Sequence, residues 1–269
     1  MDKCISLSGD LLKKLQETEY GILVDVAKFC DENDIKYCLT SGTLLGAVRH
    51  GGFIPWDDDV DISMPREDFE KFLSLSSTLP DKYECVATRF NNKYPIGIVK
   101  VRKNGTVMKE PSMAHLDINH GVWIDIFPLD KVKNLKKLRK RVILSHLLTT
   151  AINHKLKSHT PKKAITKIVC SILGLFGVKT LDAWRTKIMS AEEKTDGEYL
   201  TNFVSNLGYK NLLFKSDVYF PLKKMKFEDG EFYVPNDTEK WLTSAYGDYM
   251  TPPPVEKQVN RHKILEIKL

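Results

Sequence analysis

The stretch Ser41-Gly42-Thr43-Leu44-Leu45-Gly46-Ala47-Val48-Arg49-His50-Gly51-Gly52-Phe53-Ile54-Pro55-Trp56-Asp57-Asp58-Asp59-Val60-Asp61-Ile62 decides how this chain is read. Just upstream, Tyr37-Cys38-Leu39 reads as a short strand, Thr40–Thr43 breaks it, and Leu44–Arg49 reads as one or two helical turns. A strand followed by Ser-Gly and a helix N-terminus presents free backbone N–H groups to an anion. Downstream, Asp57, Asp59 and Asp61 alternate. On a strand they share one face while Val60 and Ile62 turn to the core. Converging carboxylates repel one another until a proton or a cation intervenes, and their oxygens suit Mg²⁺, Mn²⁺ or Ca²⁺ rather than softer metals. An anion cradle beside a hard-cation site is the equipment for moving a phosphoryl-type group from a nucleotide.

Two plainer readings compete. An Asp-rich run is commonly a solvated loop. Here Phe53 and Trp56 give it an apolar flank, and Val60, Ile62 and Met64 continue a period-two pattern that predicts a strand. The D-x-D-x-D spacing also opens an EF-hand. That loop needs Gly at its sixth position and Glu at its twelfth, where this chain has Ile62 and Asp68.

Gly42 followed by Asp59-Val60-Asp61-Ile62 resembles the signature of the nucleotidyltransferase fold. The fuller string, from Ser41 through Pro65-Arg66-Glu67-Asp68-Phe69, closely resembles the LicD family of phosphocholine transferases, whose animal relatives fukutin and fukutin-related protein use CDP-ribitol. Trp123-Ile124-Asp125-Ile126-Phe127-Pro128-Leu129-Asp130 looks like that family's second acidic strand. Tyr246-Gly247-Asp248-Tyr249-Met250, Pro252-Pro253-Pro254, Glu256-Lys257 and His262 look like its C-terminal signature, with Gln258 standing where the family usually has Arg. The likeness spans about residues 10–262.

The resemblance implies an α/β (α+β) fold: a nucleotidyltransferase-like mixed sheet flanked by helices, with a basic helical insertion. It implies a phosphotransferase that uses Mg²⁺ (or Mn²⁺) to move phosphocholine from CDP-choline, or another alcohol phosphate from its CDP-alcohol, to a hydroxyl of a glycan or glycolipid such as teichoic acid, capsule or lipopolysaccharide. On these positions, Asp59, Asp61 and Asp125 are the expected catalytic residues, and Asp57, Asp59, Asp61 and Asp125 the expected metal ligands. Asp125 either completes the metal site or draws the proton from the attacking hydroxyl. Ser41, Gly42, Thr43, Arg49 and Lys100 are the expected phosphate contacts, while His50 is either a further contact or a structural cap. A quaternary ammonium wants an aromatic cage, for which Trp56, Tyr94, Trp123, Phe127 and Tyr246 are candidates. Ribitol- or glycerol-phosphate transfer, true nucleotidyl transfer, and a silent glycan- or membrane-binding protein remain as alternatives.

The chain's 269 residues are enough for one sizeable core. We expect a single domain, with a nucleotidyltransferase-like core over 1–130, the insertion over 131–195, and a C-terminal part completing the site over 196–269. Five scattered Cys form no C-x-x-C and the His show no H-x-x-x-H. That argues against a disulfide framework or a zinc site and for a reducing, cytoplasmic setting. The start, Met1-Asp2-Lys3-Cys4, does not read as a signal peptide.

Net charge is +6, yet residues 131–181 hold eleven Lys, two Arg and no Asp or Glu. Helices are expected over 134–156, 162–175 and 181–193. Within them, the uncharged run from Ile168 to Val178 is too short to span a bilayer. Lys162, Lys163, Lys167 and Lys179 border Ile165, Ile168, Val169, Ile172, Leu173 and Phe176, which fits an interfacial helix on an anionic leaflet, a core helix with a basic solvent face, or a dock for an anionic glycan. No aromatic interleaving supports nucleic-acid binding.

Elsewhere the pattern predicts a helix over 10–34 after Ser8 and another over 66–74. Strands are expected over 83–89, 96–102 and 121–127, short strands around Gly230, and a last helix over 238–246. Lys100 and Arg102 share a strand face, either to touch diphosphate oxygens or because that strand is an exposed edge.

Overall fold

Apolar residues at helical spacing build the first helix, α1 (Gly9–Glu32), which buries Leu12, Leu15, Ile22, Leu23, Val26 and Phe29 along one stripe. The structure, a computed structural model, describes residues 4–205 and 207–269. After α1, β1 (Cys38–Leu39) leads into α2 (Ser41–His50), and β2 (Asp61–Pro65) leads into α3 (Arg66–Leu75). The strands β3 (Tyr83–Val86), β4 (Val99–Lys103), β5 (Val107–Lys109) and β6 (Trp123–Val132) follow. The basic segment forms α4 (Leu135–Lys155), α5 (Ala164–Leu173) and α6 (Val178–Met189). The chain closes with β7 (Tyr199–Thr201), β8 (Phe214–Lys215), α7 (Ser216–Tyr219), β9 (Lys223–Phe227), β10 (Gly230–Val234), α8 (Thr238–Tyr246) and β11 (Glu266–Lys268).

The main sheet runs β1-β2-β6-β4-β3, with β7 on the far end of β6 and β8 beside β7. Only β2 and β6 are parallel; the other neighbours are antiparallel, so the sheet is mixed, as expected. β2 sits inside the sheet, and Ile62, Ser63 and Met64 are all fully buried. The main core gathers Leu15, Ile22 and Val26 of α1, Leu44 of α2, and the inward residues of β2, β4 and β6.

Several expectations change on contact with the fold. The acidic run does not lie wholly on a strand. Asp57–Val60 form an irregular lead-in, and the ladder begins where the Asp125 N–H donates to Val60 O at 2.8 Å. The strand carrying Lys100 and Arg102 is not an exposed edge, because β4 lies between β6 and β3 and both side chains are buried. The ribbon of β5 with β11, and the β7–β8 pair, escape a reading by periodicity because each strand has only two or three residues.

In the insertion, α5 and α6 pack on α4 around a small core of Leu148, Ala151, Ile152, Cys170, Val178 and Leu181. Two buried arginines fasten this unit. Arg141 donates to Ile188 O at 3.1 Å and Glu192 Oε2 at 2.7 Å, and Arg185 reaches Thr88 Oγ1 at 3.3 Å and Ile96 O at 3.4 Å.

Candidate active site

Parallel pairing of β2 with β6 sets Asp61 directly opposite Asp125, and antiparallel pairing of β4 sets Lys100 opposite Asp125 on its other side. Backbone hydrogen bonding therefore brings together acids 64 positions apart in the chain. Lys100 Nζ stands 2.8 Å from Asp125 Oδ1, close as an ion pair though not aligned as a hydrogen bond, and 3.9 Å above the Trp123 ring. Asp61 is fixed from its backbone side, where its N–H donates to Thr43 Oγ1 at 2.8 Å. The Thr43 hydroxyl thus serves the acidic strand by holding it to α2.

The acidic lead-in folds over the start of α2. A side chain on Gly42 would place its Cβ 2.6 Å from Asp57 Oδ2, so only glycine lets the turn and the carboxylate touch. Ser41 adopts a left-handed φ of +51°, and the first helical bond is Leu44 N–H to Thr40 O. The N–H groups of Ser41, Gly42 and Thr43 therefore precede any intrahelical partner, beside the acids. Gln16 braces the run from α1, its Nε2 donating to Asp57 O at 2.9 Å.

One oxygen from each of Asp57, Asp58 and Asp59 lies within 4.8 Å of the others. Burial, then the charge of Asp59, pushes the Asp57 carboxyl well up from its ordinary range. Asp61 is pushed up by burial and by Asp59, Asp125 and Asp57 together, and Asp59 is also raised, chiefly by burial. These are the signs of an over-acidic pocket that lacks enough countercharge.

Arg49 does not face this pocket freely. Its Nη1 donates to Tyr249 O at 2.7 Å and its Nε to His50 Nε2 at 3.0 Å, which ties α2 to the C-terminal arm. His50 accepts from Arg49 and meets Trp56 edge-on, a structural arrangement. Tyr94 and Trp123 are buried, and the Trp123 face is covered by Lys100, so neither is open to a ligand cation. Trp56, Phe127 and Tyr246 remain partly exposed.

Three residues that motif reading passed over belong to the site. Asp58 is fully buried and accepts from the backbone N–H groups of Arg261 at 3.1 Å and His262 at 3.0 Å, and lies 3.3 Å from His262 Nδ1. It clamps the C-terminal arm while one of its oxygens stays within reach of Asp57 and Asp59. Arg261 lowers Asp57 electrostatically, a cationic contribution close to the position where Gln258 breaks the family pattern. Gln258 itself donates to Pro253 O at 2.9 Å and borders a cleft of about 490 Å³ shared with Trp56, Asn260 and His262. Glu19 of α1 is wholly buried with both carboxylate oxygens unpartnered, and burial and then Asp59, Asp58 and Asp57 raise it well above the usual range. Its signal was present in the sequence: an acid falling on the Leu12, Leu15, Ile22 stripe of an amphipathic helix.

Burial of the His262 ring opposes its charge, yet the Asp58 hydrogen bond and the Asp59 charge override it, lifting the imidazolium to about 9 from an ordinary 6.5. A raised value means that the His262 contribution is fully present below about pH 6.5 and lost as pH climbs through about 9. In EDTA, the gap in thermal stability between the wild type and His262→Gln is expected to be widest near pH 6 and to close by about pH 10. A gap that widens with pH would show that the Asp58–His262 clamp does not hold the arm.

The family model described as LicD/FKTN/FKRP, nucleotidyltransferase domain, matches residues 34–166. The chain is 27% identical over 260 residues to lipopolysaccharide cholinephosphotransferase LicD of Haemophilus influenzae, covering 93% of this chain and 96% of that one. A shorter stretch of 34 residues, 13% of this chain and 7% of the relative, is 56% identical to human ribitol 5-phosphate transferase FKRP. A segment of 105 residues, 37% of this chain and 8% of the relative, is 30% identical to mannosyltransferase regulator 4 of Saccharomyces cerevisiae.

Proposed function

We propose that this chain, which resembles the LicD family over residues 34–166 and along most of its length, is a glycan-modifying phosphotransferase that moves phosphocholine from CDP-choline to a sugar hydroxyl and releases CMP. The observation that carries the reading is the joining of two opposite ligand preferences. N–H groups at Ser41–Thr43 that precede any intrahelical partner lie, through Gly42, against Asp57 and its neighbouring acids, with Asp61 and Asp125 opposite each other on the adjoining strands.

The residues fit a hard divalent cation, Mg²⁺ or Mn²⁺. All donors are carboxylate oxygens, the buried acids outnumber Lys100, Arg261 and His262 around them, and Glu19 keeps both oxygens unpartnered. Asp57, Asp59 and Asp61, with Asp125, would hold it. When bound, such an ion neutralises diphosphate charge and stabilises the departing nucleotide.

The remaining work falls to this chain's own groups. The Ser41–Thr43 turn orients phosphate oxygens with its N–H groups. The acceptor hydroxyl forms its new O–P bond to the choline-bearing phosphorus as the P–O bond to CMP breaks. We assign Asp125, positioned by Lys100, to take the hydroxyl proton. Trp56 and Tyr246 are left to recognise the quaternary ammonium.

A second reading, a CDP-polyol donor, draws support from the Lys100 ammonium on the Trp123 face, which removes one wall from any choline cage. The test is a donor panel of CDP-choline, CDP-ribitol and CDP-glycerol with purified glycan acceptors, following CMP and labelled product. Acceptor-dependent CMP release that stops in EDTA is the expected result. Pyrophosphate release, or full turnover in excess EDTA, would overturn the reading.

A further inference from the structure

A corner of the helical insertion is built against the usual sorting of side chains. On α5, Ile165, Ile168 and Ile172 are 79%, 60% and 58% exposed, and Leu175 just beyond it is 83% exposed. These positions follow helical spacing and so form one stripe pointing away from the protein. Phe176 and Trp184 extend it, with ring centroids 4.9 Å apart and both side chains partly in solvent. Cys170 is the one α5 residue that is buried. The expectation that α5 could be a core helix with a basic outer face is therefore overturned, because its outer face is the apolar one.

Its surroundings are cationic. Lys162, Lys163, Lys167 and Lys179 flank the stripe and are exposed. Across 131–181 there is no acid, and the nearest one following, Asp182, is buried against Arg185. No helix here is long and apolar enough to cross a membrane alone, and α5 meets α6 at 107°. α6 is pinned by buried Val178, Leu181, Arg185 and Met189, so the corner cannot unfold into a span without losing the insertion's core.

We infer that the α5–α6 corner is a docking surface for an anionic lipid bilayer, with Ile165, Ile168, Ile172 and Leu175 inserted among the acyl chains and the flanking lysines at the headgroups. An apolar stripe ringed by Lys, with an aromatic pair at its edge, matches the layered chemistry of a membrane interface. A polyanionic glycan would engage the lysines and leave the stripe in water. A second copy of this chain would bring two acid-free cationic rims together. The inference goes beyond the phosphotransferase reading and does not depend on it.

The test is co-sedimentation of the purified full chain, without donor or metal, with phosphatidylcholine vesicles containing either no anionic lipid or about 30 mol% phosphatidylglycerol. Binding to the anionic vesicles alone is expected. Ile168→Asp with Leu175→Asp should weaken it at least about tenfold, since two exposed apolar anchors become charged. Lys162→Gln with Lys163→Gln should weaken it roughly fivefold per lysine and in a salt-dependent way. All four positions are exposed, so the far-ultraviolet spectrum and melting temperature should match the wild type. CMP release with a soluble acceptor should also be unchanged in the double aspartate variant, which separates this outcome from failure of the catalytic reading.

Three results would overturn the inference. One is absence of wild-type binding to anionic vesicles. A second is binding indifferent to the aspartates yet lost with the lysines, which would mark a polyanion site. The third is a concentration-dependent dimer that the aspartates dissolve, which would mark a contact between copies.

Discussion

Asp61→Asn is expected to lower transfer by about 10³-fold or more while raising the melting temperature of the metal-free protein. The two effects share one cause. Asp61 is buried beside Asp59, Asp125 and Asp57, and its carboxyl is raised by that company. A raised carboxyl means that the folded state binds more protons than the unfolded one, so stability in EDTA should grow as pH falls from neutral. Asparagine keeps the shape and the backbone bond to Thr43, removes one charge from the cluster, and flattens that pH dependence. It also removes a hard anionic ligand for the cation that would neutralise the donor's phosphates. Thermal melts in EDTA from pH 5 to 8, set beside CMP-release rates, test both halves. Loss of activity with a fall in metal-free stability would mean that Asp61 is a folding residue and that the cluster is not strained by its own charge. Asp59→Asn should behave alike, with a smaller thermal gain because Asp59 is the less buried of the two.

Arg66→Met is expected to cost about 3–5 kcal/mol, a fall in melting temperature of roughly 10 °C, with the site chemistry otherwise intact. Arg66 meets Asp130 through two bonds, Nε to Oδ1 at 2.8 Å and Nη2 to Oδ2 at 2.9 Å, and touches Glu70 at 3.3 Å. The Arg66 and Asp130 side chains are 4% and 0% exposed, so removing the guanidinium strands a carboxylate where water cannot reach it. The pair joins the first residue of α3 to β6, and α3 follows directly from β2. Replacing both partners, Arg66→Met with Asp130→Leu, should restore most of the loss, because a buried ion pair exchanged whole for apolar groups is often neutral. A double variant no better than the single one would show that the cost lies in packing, including the 5.1 Å contact of the guanidinium with Phe69, rather than in the orphaned charge.

Much of this architecture was legible because patterning and covalent spacing agree. The apolar stripe from Leu12 to Phe29 fixed α1, and the last helix was read at its observed bounds, Thr238–Tyr246. The Ser41–Ile62 string located the turn and the acids because a cradle needs small residues and a cation needs carboxylates in series. What stayed hidden is what only long-range pairing creates. The register of Asp61 with Asp125 depends on β2 lying parallel to β6, a choice that neither strand's pattern encodes. The burial of Lys100 and Arg102 depends on β3 covering β4, which turns a basic strand into an interior one. Asp58 was hidden by its own neighbours: in a run of acids, the residue that faces the C-terminal arm is set by where Arg261 and His262 arrive, some two hundred positions later. Glu19 was overlooked because attention to apolar spacing passes over the one member of the stripe that does not fit.

One strand carries consequences in two directions. Trp123–Val132 contains no glycine and runs unbroken from Asp125 to the threshold of the helical appendage, with Asp130 bolted to Arg66 on the way. Such a strut has no hinge, so the appendage and the reaction pocket share a single attitude in space. A surface bound by α5 would therefore be held in a set relation to the acid cluster through this one strand.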